Sequence, residues 1–254
     1  MFRVLGSLEI TAGDRLARVP GPRQRELLAL LLLRANRVVT VSTMIELAWG
    51  ERPPPTARRQ AQNCVGRVRR LITELGLPPE TIVTTPGGYL LAIGADRLDM
   101  LAFRARVHEG RALAGAGHVW KASRVYRGGL SLWRGPAFAD VDLGPFDAEA
   151  RLLDELRLTA HEECLALEME FGRHGRLVPE LAALVAEHPL RERLWGQLML
   201  ALYRAGRRAE ALAVYQRARE RIRRELGTEP GRRLRALRAA IARDEPLGPF
   251  PWVE

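Results

Sequence analysis

The sequence has few cysteines and no long apolar run, and both shortages limit the kind of protein it can encode. Its longest apolar run, Leu27–Leu33, has seven residues and ends at Arg34, whereas a membrane-spanning helix needs about 20. The two cysteines, Cys64 and Cys164, lie far apart and show no ligand-like spacing to histidine. The N-terminus lacks the charged head, apolar stretch and cleavage site of a secretory signal. We therefore expect a cytoplasmic protein without a membrane partner, whose two thiols are reduced and packed in helices.

Catalytic and metal-binding patterns are missing as well. The five histidines form no metal-ligand or catalytic spacing, and no nucleophile motif or glycine-rich phosphate loop occurs. Acidic residues are plentiful in the later segments, where charged helix faces explain them. The sequence therefore gives no positive support for an enzyme, and we expect neither a metal ion nor a cofactor.

Lysine is almost absent, because Lys121 is the only one and arginine supplies the other basic residues. The net charge of the chain is +10. Residues 1–95 contain 13 basic and 7 acidic residues, and the remainder contains 27 and 23. The first part is the more basic per residue, and its excess lies between Arg52 and Arg70, where six arginines and no acidic residue occur. This concentration favours a polyanionic partner over a generally basic surface.

The segment Thr56–Leu75 is predicted to form one long amphipathic helix, because residues placed about 100° apart separate into two opposite faces. The apolar face consists of Ala57, Ala61, Val65, Val68, Leu71, Ile72 and Leu75. The polar face consists of Arg59, Gln62, Asn63, Gly66, Arg67 and Arg70. Three prolines precede Thr56, which we expect to be the N-cap, and Gly76 is the predicted end of the helix.

The polar face of this helix suits the recognition of DNA. Arginine can pair with guanine edges in the major groove, and asparagine and glutamine can pair with adenine. Arg59, Gln62 and Asn63 lie in the first half of the helix and are the predicted base contacts, while Arg58 could contact bases or phosphates. The other predicted DNA-binding positions, chiefly backbone contacts, are Thr56, Gly66, Arg67, Arg69 and Arg70. The alternative is an ordinary surface helix whose basic face is only solvated.

Two helices and several short strands are predicted before this long helix. Residues 2–19 contain strand-like alternation, and residues 23–35 form a largely buried helix. After an extended piece at 38–39, a second helix is predicted to end near Trp49. Its predicted N-cap is Ser42 or Thr43, with Glu46 completing a capping box.

A hairpin is predicted after the long helix, where residues 82–85 and 89–93 flank a turn at residues 86–88. The order of strands, two helices, long basic helix and hairpin is that of an α+β winged helix-turn-helix. The strands that precede the first helix match its OmpR-type variant.

From residue 96 onward the pattern is almost entirely helical. The predicted helices lie at about 97–114, 118–133, 146–172, 176–187, 190–205, 207–226 and 230–243. A tetratricopeptide repeat is indicated by the spacing of Trp195, Leu198, Leu202, Ala211, Tyr215 and Ala218, and a preceding one is half supported by Leu177, Leu181 and Leu184. We therefore divide the chain into a DNA-binding domain (1–95), an all-α tetratricopeptide-like domain (96–245) and a C-terminal tail (246–254).

Several motifs, in order and with their spacing, resemble the SARP activators, the antibiotic regulatory protein family of actinomycetes, over nearly the whole chain. The motifs of the first half are PRQRELLALLLLRANRVV (22–39), ELAWGERPP (46–54), VGRVRRL (65–71) and TPGGYLL (85–91). Those of the second half are LSLWRGPAFADV (130–141), HPLRERLWGQLMLALYRAGRRAEALAVYQRAR (188–219) and ELGTEPGRRLRAL (225–237).

The resemblance implies an OmpR-type DNA-binding domain followed by a bacterial transcriptional activation domain. Such proteins bind direct repeats upstream of biosynthetic gene promoters, usually as side-by-side dimers, and help recruit RNA polymerase, partly through its sigma factor. The implied partners are double-stranded DNA, a second copy of the chain and RNA polymerase. Thr85 and Gly87 are the expected DNA-binding residues of the hairpin. Trp49 is expected to pack in the core, although its loop, with Glu51 and Arg52, is placed to contact polymerase in this fold.

Three residues depart from the pattern of the family. Cys64 replaces an aromatic residue, Gly66 replaces a serine expected at the DNA backbone, and Thr85 stands where an arginine is expected. Because glycine inside a helix costs about 1 kcal/mol relative to alanine, Gly66 either permits close approach to phosphates or weakens binding. Two alternatives to an activator stay open. One is a protein-interaction module with a vestigial DNA-binding domain, and the other is a repressor with the same DNA-binding chemistry.

Overall fold

The structure, a computed structural model, describes residues 1–13, 15–172 and 174–247. The chain forms two compact units, of which the first contains residues 1–109 and 127–158 and the second contains residues 110–126 and 159–254. The first unit thus extends past residue 95, the predicted end of the DNA-binding domain. Asp14, within the strand-like segment 2–19, and residues 248–254 of the predicted tail lie outside the described residues.

The first unit begins with a three-stranded antiparallel sheet. Its strands are β1 (Phe2–Arg3), β2 (Glu9–Ala12) and β3 (Arg15–Ala17), in that order across the sheet. Phe2 pairs with Ile10 and both are buried, which is what the apolar alternation of this segment predicts. The strands predicted within residues 2–19 are therefore confirmed.

The winged helix-turn-helix follows this sheet. Its helices are α1 (Pro22–Leu33), α2 (Val41–Trp49) and α3 (Ala57–Glu74), and its second sheet has the order β4 (Val38–Thr40), β6 (Gly88–Leu91) and β5 (Ile82–Thr85). Every residue of α1 from Leu27 to Leu33 is buried, so this helix forms the centre of the core. The predicted fold is confirmed, with each predicted element present.

Asn36 closes the connection between α1 and β4 against the end of β6. Its backbone lies in the left-handed region with φ of 64°, which asparagine tolerates better than most residues. Its side-chain amide donates to the Ile93 carbonyl at 2.8 Å and its side-chain oxygen accepts from the Ile93 amide at 2.9 Å. The helix core and the hairpin are thereby joined by one side chain.

The loop around residues 134–139 hydrogen-bonds to the turn between β1 and β2. The Arg134 and Phe138 amides donate to the Leu5 and Val4 carbonyls, each at 2.8 Å, and the Ala139 amide donates to the Gly6 carbonyl at 3.1 Å. A residue with a side chain is unsuited to position 6, where φ is +139° and an added Cβ would lie 3.0 Å from Arg134 Cβ. We call these hydrogen-bonded segments, residues 134–139 and the turn after β1, the edge. The edge connects residues beyond position 95 to the rest of the first unit.

Asp99, at the start of helix α4 (Asp99–Gly115), supports the same edge from within the core. Its carboxylate accepts from the Val4 amide at 2.8 and 3.0 Å and from the Leu5 amide at 3.2 Å. Arg134 lies 4.0 Å from this carboxylate and 2.9 Å from that of Glu9. Asp99 is 1% exposed, so its hydrogen bonds offset the cost of a buried carboxyl group.

The remaining helices lie close to their predicted positions. They are α5 (Val119–Leu130), α6 (Asp147–Glu168), α7 (His174–Glu187), α8 (Glu192–Arg204), α9 (Arg208–Leu226) and α10 (Arg232–Ala242). All nine positions assigned to the repeats, from Leu177 to Ala218, are buried, as stacked helix pairs require. The Trp195 indole also donates to the Pro189 carbonyl at 2.8 Å. Of the helices in the described part of the chain, none has the length and apolar content that crossing a membrane requires.

Candidate nucleic-acid interface

Helix α3 separates its residues into a buried face and an exposed face, as the sequence predicts. Ala57, Ala61, Val65, Val68 and Ile72 are buried, while Leu71 and Leu75 are half-buried. Most of the predicted contact residues are exposed, namely Thr56, Arg58, Arg59, Gln62, Asn63, Arg67 and Arg70. The structure therefore gathers all three predicted base contacts on the solvent side of the first half of the helix.

The two ends of α3 differ in how far the prediction succeeds. The helix begins directly after Thr56, but the Thr56 hydroxyl accepts from the Gln60 side chain at 2.9 Å and makes no capping bond to the backbone. At the other end Gly76 adopts φ of +75°, and the Leu77 amide donates to the Ile72 carbonyl at 3.0 Å. This is a Schellman motif, so the predicted role of Gly76 as the stop is confirmed.

Helix α2 begins at a different residue from the predicted one. Thr40 is its N-cap and accepts from the Thr43 amide at 3.1 Å, so the predicted capping box of Ser42 or Thr43 with Glu46 is wrong. The reason is that α2 follows β4 without a loop. Thr40 is therefore both the last residue of the strand and the N-cap of the helix. Ser42 is left exposed at the N-terminal end of α2.

A cleft of about 440 Å³ lies where α2, α3 and the hairpin meet. Its walls contain the N-terminal residues of α2, two predicted contact residues of α3 and the hairpin turn, namely Thr40, Val41, Ser42, Arg58, Gln62 and residues 84–89. The unpaired amides at a helix N-terminus favour anions, and Arg58 adds a guanidinium group. The cleft is therefore suited to a phosphate group.

Arg69 faces the hairpin, and its hydrogen bonds differ from the predicted role. Its guanidinium donates to the Ile82 carbonyl at 3.0 and 2.6 Å and to the Thr84 hydroxyl at 2.8 Å. It also lies over the Tyr89 ring, 5.5 Å from the ring centre. Tyr89 is a buried residue of the hairpin. Arg69 was predicted as a DNA-backbone contact, and the structure instead gives its donors partners within the chain.

The hairpin turn exposes Pro86 and Gly87 and buries Gly88. Gly88 lies opposite Thr40 in the sheet, and an added Cβ would be 2.1 Å from the Val39 carbonyl, so only glycine fits there. Thr85 lines the cleft, but its hydroxyl oxygen is buried. The prediction of a DNA contact therefore has support from exposure at Gly87, whereas at Thr85 the hydroxyl group itself is covered.

Gly66 and Cys64, two of the residues that depart from the pattern of the family, have different surroundings. Gly66 is half-buried, but a Cβ added to it meets nothing within 4 Å, so packing within the chain does not demand glycine there. Cys64 is buried on the core side of α3, where burial raises the pKa of its thiol. Cys64 and Cys164 are both buried thiols within helices, as predicted.

Trp49 is half-buried at the end of α2, so the prediction that it belongs to the core is wrong. The Arg23 guanidinium lies 4.9 Å from the ring centre and also donates to the Gln60 side chain at 3.4 Å. The Trp49 ring therefore packs against the Arg23 guanidinium group. Glu51 and Arg52, in the loop that follows, are exposed.

Two family models match the chain. The one described as "Transcriptional regulatory protein, C terminal" matches residues 19–91, and the one described as "Bacterial transcriptional activator domain" matches residues 98–242. The first range contains α1 to α3 and the hairpin, and the second contains α4 to α10.

Regulatory proteins of Streptomyces and Mycobacterium are similar to this chain. Regulatory protein DnrI of Streptomyces peucetius is 38% identical over 231 residues, which are 88% of this chain and 85% of DnrI. Regulatory protein AfsR of Streptomyces griseus is 39% identical over 97% of this chain, a region that spans 25% of AfsR. A solved structure, Mycobacterium tuberculosis EmbR in complex with a low-affinity phosphopeptide, has a TM-score of 0.91 at 36% identity and covers 98% of this chain and 66% of that chain.

Proposed function

Because the chain belongs to the SARP family of transcriptional regulators, we propose that it is a sequence-specific DNA-binding activator. Helix α3 enters the major groove, where Arg59, Gln62 and Asn63 contact base edges. The observation that carries the proposal is the joint exposure of these three side chains on the first half of α3, opposite its buried face.

The phosphates on either side of the groove are bound by groups around α3. Arg58 and the N-terminal end of α2 bind one phosphate in the cleft between α2, α3 and the hairpin, with Gln62 at its edge. Thr56, Arg67 and Arg70 are exposed and contact the DNA backbone. The exposed Gly87 lets the hairpin turn approach the backbone closely, and Arg69 holds the hairpin in place.

We also propose how the protein acts at a promoter. Two copies of the chain bind direct repeats side by side upstream of biosynthetic genes in the cytoplasm, and they recruit RNA polymerase through its sigma factor. The exposed loop with Glu51 and Arg52, next to Trp49, is the proposed polymerase contact. The support is the similarity to DnrI and AfsR, both regulatory proteins, over most of this chain.

Selection of binding sites from a random duplex library, with the full chain at near-physiological salt, tests this function. The expected result is two copies of one short motif in the same orientation, about one helical turn apart. A reporter promoter that carries the selected site then separates an activator from a repressor, because the two share their DNA contacts. Failure to enrich any motif would contradict sequence-specific binding.

A protein-interaction module is the second candidate, and two observations favour it. The Thr85 hydroxyl oxygen is buried, and packing within the chain does not require glycine at position 66. A weak or vestigial DNA-binding domain would retain only phosphate contacts, so its binding would vanish as salt rises and would show no motif.

A further inference from the structure

The positive charge of the helical half is concentrated in its last two helices. Residues 207–243, which contain α9 and α10, have 12 basic and 4 acidic residues, whereas residues 96–206 have 15 and 16. The net charge of +8 in this short stretch exceeds the +6 of residues 1–95. The charge excess that favours a polyanionic partner for the long helix is therefore at least as large in α9 and α10.

Several of these arginines are paired on their own helix or turn, but a group at the junction of α9 and α10 is not fully neutralised. Arg219 binds Glu229 through two hydrogen bonds at 2.7 and 3.0 Å, and Arg223 lies 3.5 Å from the same carboxylate. Arg219, Arg223 and Arg235 all lower the pKa of Glu229. One carboxylate is thus surrounded by three guanidinium groups.

A fourth arginine completes this cluster. Arg238 lies over the ring of Tyr215, 5.9 Å from its centre, and so joins α10 to α9. Arg223, Arg235 and Arg238 are exposed, and 41% of the Arg219 side chain is exposed. We call the three arginines around Glu229, which are Arg219, Arg223 and Arg235, together with Glu229 itself and Arg238 on Tyr215, the basic junction, which has a formal charge of +3.

We propose that the basic junction binds the phosphate backbone of duplex DNA outside the bases that α3 contacts. The inference rests on the proposed function in one respect, which is that duplex DNA is the polyanion this chain meets. Duplex DNA carries one negative charge about every 1.7 Å along its axis, so it can face several guanidinium groups at once. Most protein surfaces intersperse both signs of charge and would leave some of these groups without a partner.

A matched pair of double variants tests the proposal in the full chain. Arg223→Gln with Arg235→Gln removes two charges from the basic junction but keeps the bonds of Arg219 to Glu229 and the contact of Arg238 with Tyr215. Arg217→Gln with Arg224→Gln removes two exposed arginines that line a groove with Ala182 and Val185 of α7, on the other side of α9. The two variants have the same net charge, so any difference between them reports position.

The measurement is the affinity for a random-sequence duplex of a few helical turns, as a function of salt. Each lost phosphate contact lowers the slope of log K against log salt by about 0.9. We expect the junction variant to lose about two units of this slope and roughly tenfold in affinity at about 0.1 M salt, while the control variant matches the wild type. Thermal unfolding of both variants checks that each is folded.

Equal losses in the two variants would overturn the proposal, because they would show a general effect of charge. Wild-type affinity in the junction variant would also overturn it. The binding-site selection distinguishes a failure of this proposal from a failure of the proposed function. A junction variant that binds all duplexes less tightly, but keeps the wild-type preference for the motif, supports both. If the wild type has no motif preference, the proposed function fails, and the comparison on random duplex still decides the basic junction.

Discussion

The guanidinium group of Arg69 donates two hydrogen bonds to the Ile82 carbonyl oxygen, so helix α3 and the hairpin are joined by one side chain. Hydrogen bonds from charged donors contribute about 1.5–3 kcal/mol each. We expect Arg69→Gln to lower the free energy of unfolding by roughly 2 kcal/mol and to weaken DNA binding because the hairpin is displaced. Urea unfolding and DNA titration measure the two effects.

Arg70 is the matched control for Arg69, because it is the next residue of α3 and is exposed. Arg70→Gln should leave stability nearly unchanged and lower the salt slope of DNA binding by about 1, as the loss of a phosphate contact requires. Arg69→Gln should leave that slope unchanged. A smaller salt slope of DNA binding in Arg69→Gln, without a loss of stability, would show that Arg69 contacts a DNA phosphate.

Arg59 is the arginine of α3 for which a base contact is proposed. Arg59→Ala should cost on the order of 1–3 kcal/mol in binding to the selected motif and relax specificity at one base position. Competition with duplexes that carry single base changes measures this. Arg59→Ala and Arg70→Ala variants that both bind as tightly as the wild type would show that the groove assignment of α3 is wrong.

Gly66 is a helix-interior glycine with open space at its Cβ position. Gly66→Ala should raise the free energy of unfolding by about 0.5–1 kcal/mol, because alanine is the better helix former. We expect DNA affinity to be retained, since nothing in the chain needs glycine there. A stabilised variant with reduced affinity would show instead that the glycine serves close approach to the phosphates.

The stability of a fragment truncated at residue 95 depends on the hydrogen bonds made by residues 134–139. A fragment of residues 1–95 lacks Asp99, Arg134 and Phe138 and leaves the Val4 and Leu5 amides and carbonyls without these partners. We expect it to lose cooperative thermal unfolding at temperatures where the full chain is folded. A fragment that melts cooperatively at the temperature of the full chain would show that this edge is dispensable.

Burial raises the pKa of the Asp99 carboxyl group, against the opposing effects of the Val4 and Leu5 amides and Arg134. The folded chain therefore holds this proton more tightly than the unfolded chain does. The contribution of Asp99 to stability consequently falls as pH rises from its unfolded pKa of about 3.9 through its folded pKa. The free energy of unfolding of the wild type minus that of Asp99→Asn should decrease over this window and level off above it. Urea unfolding from about pH 4 to pH 7 measures this difference, and a difference that rises with pH would contradict the sign.

The faces and the end of α3 could be predicted because they depend on residues close in sequence. The period of the apolar residues gives the buried face, and Gly76 alone permits the left-handed turn. The same local rules fail at Thr40, where a strand and a helix share one residue. They also fail at Trp49, where Arg23 arrives from α1 to cover the ring.

Features that depend on distant residues were beyond the sequence argument. Periodicity places Arg69 near the basic face of α3, but the Ile82 carbonyl that it binds is positioned by the sheet. Counting charge over residues 96–254 as one block conceals α9 and α10, because the other residues of that block are nearly neutral or acidic. A sliding count of charge would have found the basic stretch 207–243, but the grouping of arginines around Glu229 depends on the structure.

The hydrogen bonds between the turn after β1 and residues 134–139 also restrict how such a chain can be rearranged in evolution. A crossover near residue 95 that joins this N-terminal half to another activation domain keeps the edge only if the incoming domain offers equivalents of Asp99 and Arg134. Inheritance as one block is therefore favoured over domain shuffling. The similarity to AfsR, which runs through 97% of this chain within a much longer protein, has the extent that such a block would have.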